Sequence, residues 1–254
     1  ALYRCFQDDC RTIDSLRQGL RMKLRDWDYL DSINDDGATE TLTYIKETDF
    51  GSKEFLYINL MEAHTPYDPP AKYKSVDVTH GPGLEETVFS SGNTPVDDDA
   101  IKQAYDDCVR YLSDIYKELF SLLTDQFDYI LTVSDHGELL GEHGGWMHGY
   151  GLYRELTNIP LSIYGPDVPD DHTDELVSVL DIHATVLDIT TGDSSPRGHT
   201  LLKEDQQESC LTEYHGFTAQ KLAHLRNAAV SEEQISEYDQ TLRGIVQSNC
   251  YGYE

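Results

Sequence analysis

Apolar positions recur every three or four residues over 11–30 (Ile13, Leu16, Leu20, Leu24), which predicts a helix. Asp35, Asp36 and Gly37 interrupt that spacing before a second helical stretch near 38–48. The pattern then changes: in FLYINLM, 55–61, six of seven residues are apolar or aromatic, as in a strand buried on both faces of a parallel sheet. EAHTPYDPP follows, and its prolines forbid further strand pairing. Residues 71–96 read as a long polar loop with Gly81, Pro82, Gly83, Gly92 and Pro95, suited to a lid or the border of an active site. Over 97–125 the helical period returns, with carboxylates at the start and Ile101, Tyr105, Val109, Leu112, Ile115, Leu119 and Leu122 along one stripe. YILTVS (129–134) and PLSIYG (160–165) predict two more buried strands, and LDIHATVLDIT (180–190) a helix packed on them. Strand, helix, strand, strand, helix implies right-handed crossovers, hence an α/β fold with a mostly parallel sheet flanked by helices. Past Pro196 the signal weakens to one strand over 208–216 and the opening of a hairpin over 238–249.

At 254 residues and 39% hydrophobic content the chain can bury one large α/β core. No apolar run approaches the roughly 18 residues that span a bilayer, and ALYRCFQDDC lacks the basic-then-apolar layout of a signal peptide. A soluble, cytoplasmic protein without a membrane partner is the expectation. The 47 acidic against 19 basic residues, a net charge of −28, argue against nucleic acid as a partner. The excess is spread along the chain (Asp8, Asp9, Asp35, Asp36, Asp97 to Asp99, Asp106, Asp107, Asp170, Asp171), Asp outnumbers Glu and lysine is scarce. That is the composition of a halophilic protein, whose self-repulsion is screened within ~3 Å at molar salt. Loss of structure on dialysis into low salt, read by circular dichroism, is the expected outcome. Cys5, Cys10, Cys108, Cys210 and Cys250 form no CxxC pair and no zinc spacing, so they read as reduced thiols.

The chemistry gathers where two predicted strands end, which is where open α/β sheets bind ligands. Glu62, His64, Thr65 and Tyr67 follow 55–61; Asp135, His136 and Glu138 follow 129–134. Asp135 and His136 would face opposite ways on a regular strand, but Gly137 lets the backbone turn so that both converge on one ion. The imidazole favours transition metals and the carboxylate calcium, magnesium or manganese, and two ligands need further donors from elsewhere. The blander alternatives are that Asp135 caps the turn before Gly137, that His64 is an ordinary loop histidine and that His143 bridges loop backbone. His148 stays ambiguous on spacing alone, and Glu62, Glu138 and Glu142 read as solvated or as standing behind the ligands.

FLYINLMEAHTPY (55–67), AYDDCVRYLSDIYKELFSLL (104–123), ILTVSDHGELLGEHG (130–144), GLYRELTNIPLSIYGP (151–166) and SVLDIHATVLDIT (178–190) resemble, in order, the second half of the sulfatase family. That family lies within the alkaline phosphatase superfamily, and the likeness is collinear over most of 40–202. The resemblance implies an alkaline phosphatase-like fold and hydrolysis of sulfate esters. It implies that Asp135 and His136 hold a divalent metal, calcium foremost with Mg2+ or Mn2+ as alternatives. It also implies that His64 contacts the sulfate and assists the leaving group. A lysine commonly follows the GEHG-like stretch in the family and holds the ester; this chain has His148 there.

The family's paired aspartates and its Cys or Ser-x-Pro/Ala-x-Arg nucleophile motif find no counterpart. None of the five cysteines has that context, and Ser194-Ser195-Pro196-Arg197 has the wrong spacing. The expected reading is therefore a fragment with formylglycine only in the missing N-terminal part: a partial α/β domain over 1–202, incomplete at its N-terminal side, and the start of a small C-terminal subdomain over 203–254. Such a piece is expected to be inactive alone and to self-associate through an exposed sheet edge. A phosphonate or phosphate ester hydrolase of the same superfamily, and a non-catalytic binding module, are the competing readings.

Overall fold

A computed structural model describes residues 35–78, 97–166, 168–203, 207–247 and 250–254. The helix expected over 11–30 and the loop beyond residue 78 lie outside these residues. Helix α1 (Ala38–Glu47) starts behind Asp35, whose carboxylate accepts from the amides of Gly37, Ala38 and Thr39 at 2.8, 2.7 and 3.1 Å. These are three donors that a helix start leaves open. Helix α2 (Asp98–Thr124) is capped by Asp97, which accepts from the amide of Asp99. Its buried stripe, Ile101, Ala104, Cys108, Tyr111, Leu119 and Leu123, follows the three-and-four spacing of the sequence.

That stripe divides in two. Leu119 and Leu123 pack on Leu42 and Ile45 of α1 and on the partly buried Leu56, Ile58, Leu60 and Ile130. Ile101, Ala104 and Cys108 pack on Tyr67, Val78 and Trp146. Each such buried aliphatic side chain stabilises the fold by about 1.5–3 kcal/mol. The N-terminal half of α2 thereby supports both loops that carry the expected site residues.

Strand β1 (Ile130–Val133) pairs with β4 (Leu161–Tyr164), and between them lie β2 (Leu139–Leu140), β3 (Trp146–Met147) and the four-residue helix α3 (Arg154–Thr157). Helix α4 (Val179–Thr191) opens on a capping box of Ser178 and Asp181 and ends at Gly192 in the left-handed region (φ 74). The fully buried Asp181 also accepts from the amide of His199 at 2.7 Å and from Gln207 Nε2 at 2.6 Å, docking the following segment on the helix start. The remainder is β5 (Cys210–His215), α5 (Ala219–Asn227), α6 (Glu232–Tyr238), β6 (Thr241–Gln247) and β7 (Cys250–Tyr253). Its three strands form one sheet in the order β5-β6-β7.

The α/β class stands, but two expectations need correction. Every ladder among the described residues is antiparallel: Ile130 faces Tyr164, Leu139 faces Met147, and Cys210 faces Val246. A parallel neighbour needs a crossover helix, and the 27 residues between β1 and β4 make a hairpin and one short turn of helix instead. Nor does 55–61 form a strand buried on both faces. It runs without ladder pairing among the described residues; Leu56, Ile58 and Leu60 pack inward while Phe55 and Tyr57 are 71% and 78% exposed. Cys108, Cys210 and Cys250 are free thiols, and no helix among the described residues is long and apolar enough to cross a membrane.

Candidate active site

Two loops meet over the start of α2. The first turns at Glu62–His64, closed by the His64 amide donating to the Met61 carbonyl at 2.9 Å. Glu62, expected to be solvated or to stand behind the ligands, is buried at 6% exposure and accepts from the Ala38 amide at 2.8 Å, tying the turn to the start of α1. Burial pushes its carboxyl above the usual range, and its second oxygen has no hydrogen-bond partner. Beyond the turn the buried Tyr67 donates its hydroxyl to Glu138 Oε1 at 3.0 Å. Burial and that neighbouring carboxylate raise the phenol far above its ordinary value, so Tyr67 stays a proton donor at neutral pH.

The second loop is built on glycine. Gly137 donates its amide to the Leu156 carbonyl at 2.9 Å, and a Cβ at position 137 would overlap the Glu155 carbonyl oxygen. Only glycine lets the chain pass there, and the passage turns His136 and Glu138 toward the first loop. The chain reaches His148 through Met147, a non-glycine residue in the left-handed region at φ 68. Strain of that kind costs about 1–2 kcal/mol and persists where the surroundings enforce it.

Three imidazoles converge. The ring of His148 lies 4.0 Å from that of His136, stacked, and 5.4 Å from that of His64, edge-on. His64 Nδ1 lies 2.7 Å from the Thr65 carbonyl oxygen and His136 Nδ1 2.8 Å from the Gly137 carbonyl oxygen. A carbonyl only accepts, so both Nδ1 atoms carry the proton and both Nε2 atoms keep a lone pair when the rings are neutral. Asp135 projects at the rim, its side chain 88% exposed, with Oδ1 3.6 Å from His136 Nε2. It also accepts from the His136 amide at 3.0 Å, the capping role that was its blander alternative.

The 3.6 Å separation suits two donors of one cation: ligands at about 2.2 Å subtending roughly 100° stand about 3.4 Å apart. A second donor set overlaps it, because ligating atoms of His136, Glu138 and His148 lie within 4.8 Å of one another. A backbone carbonyl on the far nitrogen of His136 is the support a metal-bound imidazole ordinarily has.

The resemblance pointed to His64, His136 and His148, and the fold brings their three rings together. For Glu138 the sequence left two alternatives, solvated or standing behind the ligands, and the structure has it largely buried behind His148. Its side chain is 10% exposed, and its two oxygens are engaged by Tyr67 at 3.0 Å and by His148 Nδ1 at 2.9 Å. Nothing local announces a bond to Tyr67, 71 residues away in the chain. His143 does not bridge backbone: its Nε2 meets Glu155 Oε2 at 3.0 Å and its ring stacks on Tyr153 at 4.4 Å. Glu142 is exposed, as expected, and accepts from the Leu140 amide at 2.6 Å. A hollow of about 380 Å3 lined by Asp188, Ser195, His199 and Lys203 includes none of these histidines.

Residues 8–192 match the family model described as Sulfatase. The chain is 23% identical over 184 residues to "Uncharacterized sulfatase YidJ" of Escherichia coli (strain K12), covering 64% of this chain and 37% of that protein. Over 62 residues it is 37% identical to "Arylsulfatase K" of Xenopus laevis, 24% of this chain and 11% of that one. Its fold is shared with the phosphonate monoester hydrolase of Agrobacterium radiobacter, at TM-score 0.58, 17% identity, and 85% and 51% of the two chains. The phosphonate monoester hydrolase of Silicibacter pomeroyi superposes at TM-score 0.64, 17% identity, and 87% and 51%. The chain thus spans about half of each of these solved structures and less of the curated relatives.

Proposed function

The chain belongs to the sulfatase family, and on that premise we propose that the protein carrying it hydrolyses sulfuric esters at the cluster of His64, His136 and His148. The observation that carries this is the convergence of those three rings, 4.0 and 5.4 Å apart, from loops more than 60 residues apart in sequence. Asp135 and His136 hold a divalent cation in this reading, calcium first and magnesium or manganese as alternatives. Bound there, it would supply positive charge to the ester oxygens as the bond to the leaving group breaks.

The chain's own residues supply binding and proton transfer. His64, with Nδ1 committed to the Thr65 carbonyl, presents Nε2 to the leaving oxygen and, as the doubly protonated imidazolium, hands it the Nε2 proton. His148, held through Nδ1 by Glu138, contacts the ester anion through Nε2–H when both ring nitrogens carry hydrogen. The attacking group comes from outside this cluster, since none of the five cysteines stands in the nucleophile context. Formylglycine elsewhere in the whole protein is the expected source, and the 254-residue chain by itself is expected to turn nothing over.

Phosphonate and phosphate monoesters are the second reading, favoured by the overall likeness to the two phosphonate monoester hydrolases at TM-scores of 0.58 and 0.64. Paired turnover assays of the complete protein on an aryl sulfate and an aryl phosphonate, with and without a chelator, separate the two. Faster cleavage of the sulfate, abolished by the chelator and restored by calcium, is the expected result. Preference for the phosphonate would replace the first reading by the second, and no turnover of either ester would favour a non-catalytic binding role.

A further inference from the structure

Glu138 touches both loops, and both of its oxygens are engaged there. Oε1 accepts the Tyr67 hydroxyl at 3.0 Å, and Oε2 lies 2.9 Å from His148 Nδ1. Its side chain is 10% exposed and that of His148 23%, so this bond is largely shielded from competing water. Tyr67 in turn is packed at 2% exposure against the Tyr105 ring, 5.3 Å away, on the buried face of α2. The chain of contacts therefore runs from the helix through Tyr67 and Glu138 to the imidazole.

We propose that Glu138 is a positioning residue that fixes both the direction and the tautomer of His148 through this Tyr67–Glu138–His148 linkage. The inference rests on the reading of His148 as a contact for the ester anion. An ionised carboxylate only accepts, so the Nδ1 facing it must carry hydrogen, and Nε2, the nitrogen turned away from Glu138, donates to an ester oxygen when the ring carries hydrogen at both nitrogens. The same carboxylate stops the ring from rotating about its Cβ–Cγ bond, because a flipped ring would present carbon to Oε2. Tyr67 holds the other oxygen, so Glu138 cannot swing to follow His148 either. Rigid placement of this kind matters because an ester oxygen has to be met at hydrogen-bond distance, and loosely held partners lose it.

The test begins with long-range 1H–15N correlation spectra of the histidine-labelled chain at pH 8, where an ordinary imidazole is neutral. The His148 signals are identified by their loss in His148→Asn. Hydrogen on Nδ1, whether or not Nε2 also carries one, supports the linkage. In Glu138→Gln the amide can donate to Nδ1 while its oxygen still accepts from Tyr67, so the hydrogen is expected to move to Nε2 with the packing kept. Hydrogen on Nε2 alone in the unaltered chain, or an unchanged pattern in Glu138→Gln, overturns the proposal. Should Glu138→Gln not fold, the unaltered spectrum together with Glu138→Asp, one methylene shorter, decides.

In the complete protein, Glu138→Gln is expected to raise KM for the ester about tenfold while kcat stays within about threefold. Loss of kcat at unchanged KM would overturn positioning as the role of Glu138. No turnover by the unaltered protein would count against the hydrolase reading alone, because the spectra judge Glu138 without it.

Discussion

The arm over 62–78 is fastened by side chains that reach across the molecule, whereas the arm over 134–157 is fastened by main chain packed against main chain. In the first, Glu62 takes the Ala38 amide, Tyr67 reaches Glu138, and Tyr73 donates to Asp114 at 2.7 Å. Ser75 gives its amide and hydroxyl to Asp107 at 2.6 and 2.8 Å. In the second, Gly137 lies against the carbonyl of Glu155 and donates to that of Leu156, and Gly141 donates to the Gly145 carbonyl at 2.9 Å. A side-chain tether can be cut by one substitution or by a proton. A close backbone approach is indifferent to a proton and intolerant of one added methyl group.

The largest effect falls on the packed arm. Gly137→Ala puts a methyl group into the Glu155 carbonyl, and neither backbone can retreat without breaking the Gly137–Leu156 bond. A cost above about 4 kcal/mol is expected, lowering the melting midpoint by at least about 8 °C. A variant that melts with its parent would erase the distinction between the arms. Next, His64→Ala or Asp135→Ala in the complete protein should cut turnover by at least ~10²-fold, about 2.7 kcal/mol on the barrier, with the fold intact. Near-normal rates would remove that residue from the site.

Asp107 exposes the tethered arm to acid. Burial alone would raise its carboxyl, but the bonds from Ser75, Gln103 and Arg110 outweigh it and hold the value at about 2, against an ordinary 3.8. A depressed folded value means that this stability is fully present above about pH 4 and drains away as pH falls toward 2. Asp107→Asn should cost about 2 kcal/mol at neutral pH and flatten the acid limb of the midpoint-versus-pH curve. An unchanged limb would assign the acid sensitivity to other groups. The smallest effect belongs to Tyr67→Phe, which leaves Glu138 Oε1 without its donor: about 1 kcal/mol by urea titration. A loss several times larger would mean that the hydroxyl does more than tether.

The same contrast explains what could be read from the chain. Helix α2, expected over 97–125, spans Asp98–Thr124, and β1, β4 and α4 lie within a residue or two of expectation, because apolar period and caps act over one turn or one strand. The glycine-rich turn was equally legible, since Gly137 marks a place where only backbone fits. Helices α5 and α6 went unread although Thr218 and the Ser231–Gln234 capping box announce both starts. Strand direction was misread because the connection from β1 to β4 looks long enough for a crossover and is used as a loop. The choice between a solvated Glu138 and one standing behind the ligands stayed open, because its surroundings depend on Tyr67 arriving from 71 residues away, which no local pattern encodes.

Leu139, Tyr150 and Leu156, from the glycine-rich arm, share one cluster with Tyr214, Phe217 and Tyr238 from the region after residue 203, and Tyr251 of β7 donates its hydroxyl to the Leu152 carbonyl. The glycine arm and the last three strands therefore rise and fall as one cooperative unit. Fraying at the final strand would then be felt at the histidines, and an anion bound there, as proposed, would slow exchange of amide hydrogens in a sheet it never touches.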